Sequence, residues 1–223
     1  MRINFKNVDK NFGLIDALKN ISFDIGSGDF VFLFGPSGSG KSTIIKLILS
    51  QLQPSAGQIK IGSYDLTTAS KKDIDALRKK IGIIFQDYQL INDKSLEENI
   101  ALNMDIAGFP SQEIPSKIDE VIKKVNLSSR RLLYPSQLSG GELQRAALAR
   151  ALSTDPKIIL ADEPTGNLDQ KNSWNLVNLL KDINQKQHCT VLMATHDVEI
   201  VKSMGKKVIY LQEGRIVKNL KLN

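Results

Sequence analysis

Residues 35–43 read Gly-Pro-Ser-Gly-Ser-Gly-Lys-Ser-Thr. Glycines spaced this way ahead of a lysine and hydroxyls suit one task, holding a chain of phosphates. Gly35, Gly38 and Gly40, with Pro36, Ser37 and Ser39 between them, let the backbone wrap closely and turn its N–H groups inward. Lys41 is placed to reach β- and γ-phosphates. Ser42 is placed to offer its hydroxyl to Mg²⁺, and Thr43 adds a further phosphate contact. The context agrees. The apolar run 30–34 has the pattern of a buried parallel strand, and 43–49 can start a helix whose N-terminus attracts anions. The stretch is a complete P-loop, and its ligand is a nucleotide.

Two further segments carry chemistry. Residues 138–142, Leu-Ser-Gly-Gly-Glu, precede an Ala-rich helical run. By itself this is a good N-cap and turn. Residues 158–163, Ile-Ile-Leu-Ala-Asp-Glu, are an apolar strand ending in two carboxylates, the form of a Walker B motif.

The elements that must position these groups alternate along the chain. Residues 2–8 and 21–25 alternate apolar and polar, as strands do, and 58–61 and 81–85 are further strands. From about 88 to 156 the pattern is helical and amphipathic. Strands at 158–161, 190–194 and 208–211 then alternate with helices near 174–184 and 198–203. Such alternation predicts an α/β fold, a parallel sheet flanked by helices. No repeat and no sustained heptad is present.

Composition sets the outer bounds. The chain has 223 residues, 41% hydrophobic and 24% charged, ordinary values for a globular protein. No run of 18 apolar residues exists, so no membrane-spanning helix is expected, and the N-terminus lacks the apolar core of a signal peptide. The single cysteine, Cys189, cannot close an internal disulfide and sits beside an apolar run, which fits a buried thiol in a reducing cytosol. The net charge of +6 comes from dispersed lysine pairs, with no nucleic-acid signature, so no nucleic-acid partner is expected.

The P-loop, the Leu-Ser-Gly-Gly-Glu segment and the Walker B strand, in this order, resemble the ATP-binding-cassette (ABC) ATPases. The resemblance covers almost the whole chain. It implies a P-loop NTPase cassette with a RecA-like core, an antiparallel β subdomain and an inserted α-helical subdomain. The whole of 1–223 would be one ABC domain, with core and β lobe at about 1–87 and 157–223 and the helical subdomain at about 88–156. It further implies an ATPase that uses ATP and Mg²⁺. By resemblance, Asp162 holds Mg²⁺ with Ser42, and Glu163 is the base for the attacking water. Gln86 is the Q-loop residue that touches Mg²⁺ and water, and His196 is the switch histidine on the γ-phosphate. Asn167-Leu168-Asp169 matches the D-loop, where two subunits meet. Phe12 falls where the family places an aromatic against adenine, with Phe in place of the commoner Tyr.

Ser139, Gly140 and Gly141 are, by the same resemblance, a second anion site that closes on the nucleotide of another copy. A head-to-tail homodimer is then the expected partner arrangement, with two ATP molecules between the copies. A cassette without membrane helices also needs an integral membrane subunit, which would hold it peripherally on the cytoplasmic face of the cell membrane. Residues 162–169 resemble the subgroup of lipoprotein-release, macrolide-export and cell-division cassettes. Residues 85–90 and 191–197 look closest to the cell-division members, whose membrane partner controls peptidoglycan hydrolases. A lipoprotein-release or macrolide-type exporter is the alternative.

Overall fold

The computed structural model describes residues 1–217; residues 218–223, the end of the expected core segment, lie outside the described residues. Two sheets organise the chain. The first is antiparallel, in the order β2-β1-β4-β5, from β1 (Ile3–Phe12), β2 (Ile15–Ile25), β4 (Ala56–Ile61) and β5 (Tyr64–Asp65). The second has the order β10-β9-β3-β8-β7-β6. Its members are β3 (Phe30–Phe34), β6 (Ile81–Ile84), β7 (Ile158–Asp162), β8 (Thr190–Thr195), β9 (Lys207–Gln212) and β10 (Arg215–Ile216). All of its pairs are parallel except β10 on β9.

The strand β3 shows why the fold has two cores. All five of its residues are apolar and buried. Strand alternation sends Phe30, Phe32 and Phe34 to one face and Val31 and Leu33 to the other. The phenylalanine face joins a core with α3 (Leu96–Ala107), α4 (Ile114–Lys124), α5 (Gly140–Leu152) and α6 (Gln170–Gln187). The opposite face packs with α1 (Lys41–Ile48) and the antiparallel sheet through Phe5, Leu18, Ile59 and Ile61. The remaining helices are α2 (Lys71–Arg78) and α7 (Val198–Met204).

Helix starts are set by local chemistry. Ser95 and Ser139 each cap their helix and pair with a glutamate at the third position, Glu98 and Glu142, in a reciprocal capping box. Ser70 does the same with Asp73 at the start of α2.

Several elements exceed the expectation from sequence. β1 runs on to Phe12, with register shifts that break the alternation after Phe5, and β2 begins at Ile15 rather than near residue 21. The stretch read as helical from 88 to 156 contains three α-helices, joined by turns and by short 3₁₀ segments at Ser128–Arg130 and Pro135–Gln137. Cys189 is buried, and His188 is exposed at the C-cap of α6. Among the described residues, no helix is long and apolar enough to cross a membrane.

Candidate functional site

Strand register brings the site together. Phe34 lies opposite Thr195, and Asp162 opposite Ala194, so three strands end at one level. The backbone continues the match, with Gly35 N donating to Thr195 O at 3.3 Å and Glu163 N to Ala194 O at 3.1 Å. Gly35, Glu163 and His196 therefore leave the sheet side by side. Gln86 follows β6, the strand next to β7.

Residues 35–40 form a loop into α1. At Gly35 no side chain fits, because a Cβ would lie 2.1 Å from Leu211 O and 2.8 Å from Ser39 Oγ. Gly40 caps α1 with φ 107° and provides no side-chain acceptor. The first N–H groups of the helix are thus left for an anion. Ser39 Oγ is buried and has no hydrogen-bond partner among the described residues. Thr43 is half-buried in the first turn, while Pro36, Ser37 and Gly38 are exposed.

Lys41 is 5% exposed, and its ammonium donates to Gly35 O (2.8 Å) and Pro36 O (2.9 Å). The same Nζ lies 3.1 Å from Glu163 Oε1. Glu163 Oε2 lies 2.9 Å from His196 Nδ1. One carboxylate therefore stands between the P-loop lysine and the histidine. Glu163 holds φ 49°, a left-handed conformation uncommon for a side chain of this size.

Ser42 Oγ donates to Asp162 Oδ1 at 3.1 Å. Burial pushes the Asp162 carboxyl above its ordinary range, and the Ser42 hydrogen bond opposes this. A hydroxyl and a carboxylate are hard oxygen donors of the kind Mg²⁺ prefers. Among the described residues no group of three or more His, Cys, Asp or Glu side chains could hold a metal. The Gly35 cradle, the unpartnered Ser39 hydroxyl and this donor pair fit Mg²⁺ and a polyphosphate.

The Gln86 side chain is close enough to Gly166 that a Cβ there would lie 2.9 Å from its Nε2. Asn167 Nδ2 donates to Gln86 O at 3.0 Å, so Asn167 holds the Gln86 backbone within its own chain. Sequence reasoning missed that link, since a side chain reaching a carbonyl 81 positions away leaves no local pattern.

Ser139, Gly140 and Gly141 open α5 elsewhere. Ser139 Oγ donates to Glu142 Oε2 at 2.9 Å, and Arg130 Nε donates to Glu142 Oε1 at 2.8 Å. Arg130 foremost, with the Ser139 N–H and hydroxyl, holds the Glu142 carboxyl down to about 2. A Cβ on Gly140 would meet Tyr88 Oη at 3.4 Å, and one on Gly141 would meet the Asn172 side chain at 2.9 Å. None of these contacts is with residues 35–43. The structure therefore brings Lys41, Ser42, Asp162, Glu163 and His196 together, while Ser139 bonds to Glu142 and the two glycines after it lie against Tyr88, Asn167 and Asn172.

Phe12 is 46% exposed at the end of β1, with Lys10 Nζ 4.9 Å above its ring. Its ring is not part of either core.

Known proteins resemble this chain over most of its length. The ABC transporter family matches residues 18–166. The chain is 41% identical to the cell division ATP-binding protein FtsE of Streptococcus pneumoniae, covering 91% of this chain and 88% of that one. It is 43% identical to FtsE of Bacillus subtilis, covering 92% and 90%. It is also 40% identical to the methionine import ATP-binding protein MetN of Bordetella avium, covering 96% of this chain and 60% of that one. A dimeric post-hydrolysis structure of the ATP-binding cassette MJ0796 bound to ADP and Pi superposes with a TM-score of 0.88 at 36% identity, covering 99% of both chains. With its P-loop, Walker B carboxylates and two-sheet architecture in this order, the chain belongs to the ABC transporter family and is an ATPase cassette.

Proposed function

We propose that this cassette works as an ATP-clamped, head-to-tail homodimer that drives a separate integral membrane subunit, an FtsX-like protein of cell division and peptidoglycan hydrolase control. The observation that carries the dimer is the separation of two anion sites in one chain. Lys41 and the 35–43 loop, between β3 and α1, form the first, and the capped N-terminus of α5 at Ser139, on a different element, forms the second. A second copy can present its α5 to the nucleotide held by the first. The dimeric MJ0796 structures support this arrangement.

The residues divide the work. Lys41 and the loop N–H groups neutralise and hold the phosphates, and Phe12 stacks on adenine. Glu163 orients the attacking water and accepts its proton, while His196 aligns the carboxylate and faces the γ-phosphate. Ser42, Asp162 and Gln86 would hold Mg²⁺. Bound there, Mg²⁺ would supply charge neutralisation to the phosphates. Loss of the γ-phosphate removes the contacts that bridge the copies, so they part.

The FtsE relatives support the cell-division reading, and the MetN relatives keep a methionine-import cassette as a second one. Either reading places the chain peripherally at the cytoplasmic face of the cell membrane. The test is affinity capture of Glu163→Gln with ATP from gently solubilised native membranes, followed by mass spectrometry. Recovery of an FtsX-like subunit is the expected result. Recovery of an import or export permease would overturn the cell-division assignment and leave the ATPase mechanism standing.

A further inference from the structure

The segment 86–95 joins the parallel sheet to the helices of the phenylalanine-side core. Its backbone is held by side chains from several elements. Asn167 donates to Gln86 O. Asn99, buried on α3, accepts from Ile91 N at 2.8 Å and donates to Ile91 O, Lys94 O and Ser95 O at 3.0–3.1 Å. Between them, Arg150 near the end of α5 donates from Nη2 to Tyr88 O at 3.0 Å and from Nη1 to Gln89 O.

Arg150 is unusual in what it lacks. It is half-buried, yet among the described residues no carboxylate lies within ion-pair distance of it. Burial lowers its affinity for its proton, with no acidic group opposing. A desolvated guanidinium is costly to keep unless its donors are used. Its recorded bonds go to two successive carbonyls, and a planar fork suits such a pair as an ammonium cannot. Those carbonyls belong to Tyr88 (φ 61°) and Gln89 (φ 48°), adjacent non-glycine residues in the left-handed region. Such a pair is strained and persists only where surroundings impose it. Arg150 is itself fixed, since Asn103 Nδ2 and Ser153 Oγ both donate to its carbonyl, at 3.1 and 2.8 Å.

We propose that Arg150 is a positioning residue for ATP hydrolysis: its guanidinium holds the left-handed Tyr88–Gln89 backbone and thereby sets where Gln86 stands. The helix that begins at Ser139 then grips the loop behind Gln86 through its last turn. A shift of α5 moves Gln86 in the same step. The proposal rests on the reading that Gln86 reaches Mg²⁺ and water.

The test uses the full chain on a Glu163→Gln background, where turnover is slowed. Binding of a fluorescent ATP analogue is titrated with Mg²⁺, and amide exchange at Tyr88 and Gln89 is followed without nucleotide. Arg150→Lys keeps the charge and loses the fork. Its expected effect is faster exchange at both amides and a Mg²⁺ midpoint about tenfold higher, the size typical of lost outer-shell support, with Mg²⁺-free nucleotide affinity unchanged. Gln86→Ala is expected to raise the midpoint similarly, and Arg150→Lys to add nothing in that background. If Gln86→Ala leaves the midpoint unchanged, the reading of Gln86 fails. If Gln86→Ala raises it and Arg150→Lys does not, or if the two effects add, the positioning role is overturned. Should Arg150→Lys not fold, Gln89→Val tests the same link from an exposed position, because a β-branched residue resists the left-handed region. An unchanged midpoint in that folded variant overturns the proposal equally.

Discussion

His196 Nδ1 sits 2.9 Å from Glu163 Oε2, while the other oxygen of the same carboxylate lies 3.1 Å from Lys41 Nζ. The histidine and the carboxylate are therefore expected to act as a unit. Glu163→Gln is expected to bind ATP, lose about 10²–10⁴-fold in kcat and accumulate as a dimer with ATP. His196→Ala is expected to lower kcat on its own but to add little on top of Glu163→Gln. Steady-state ATPase assays and size-exclusion chromatography of the single and double variants check both. Full additivity would show that His196 acts without Glu163.

The P-loop has no room for side chains at its tightest point. Gly35→Ala would put a methyl 2.1 Å from Leu211 O, main chain that cannot simply rotate away. The expected cost is about 1–3 kcal/mol of stability, or more, from overpacking. Lys41→Ala, in contrast, is expected to fold and to lose ATP binding, as nucleotide titration would reveal.

Glu142 makes a pH-dependent contribution whose sign is fixed. Its carboxyl is lowered from an ordinary 4.5 to about 2 by Arg130 and Ser139. A depressed carboxyl stabilises the fold above its unfolded value, and this contribution disappears as pH falls from about 4.5 to about 2. The difference in thermal midpoint between wild type and Glu142→Gln is thus expected to shrink across that window. A difference constant from pH 6 to pH 2 would contradict the pairing.

Asp162 works in the opposite direction. Burial raises its carboxyl, so its contribution to stability is largest at low pH and falls as the group ionises with rising pH. Asp162→Asn is expected to raise Tm at neutral pH without nucleotide or metal, by on the order of 2 °C. The same change is expected to abolish the Mg²⁺ dependence of nucleotide binding. Calorimetry and metal titration together expose this exchange of stability for function.

The chemistry was legible where it is local. The P-loop, the carboxylates of Asp162 and Glu163, and His196 each lie at the end of a short, largely apolar strand, and β3, β7 and β8 are buried along their length but for Asp162. β1 and β2 were read too short, because register shifts between Phe5 and Asn11 destroy the period-two pattern. Residues 128–137 read as helix because their composition is amphipathic, yet Pro135 and the capped Ser139 impose turns. The links made by Arg150 and Asn167 left no trace, since both spend donors on distant main-chain carbonyls, which any sequence would supply.

β3 lies at the centre of its sheet, between β8 and β9. It is synthesised early, and both neighbours come from the final third of the chain. While the ribosome makes the intervening residues, Phe-Val-Phe-Leu-Phe has neither of its native edges covered, and such a segment is a template for aggregation. ATP cannot rescue it earlier, because Glu163 and His196 have not yet joined Lys41. The parallel sheet is therefore expected to close around β3 only once β8 and β9 have been made, and β3 needs shelter from other chains until then.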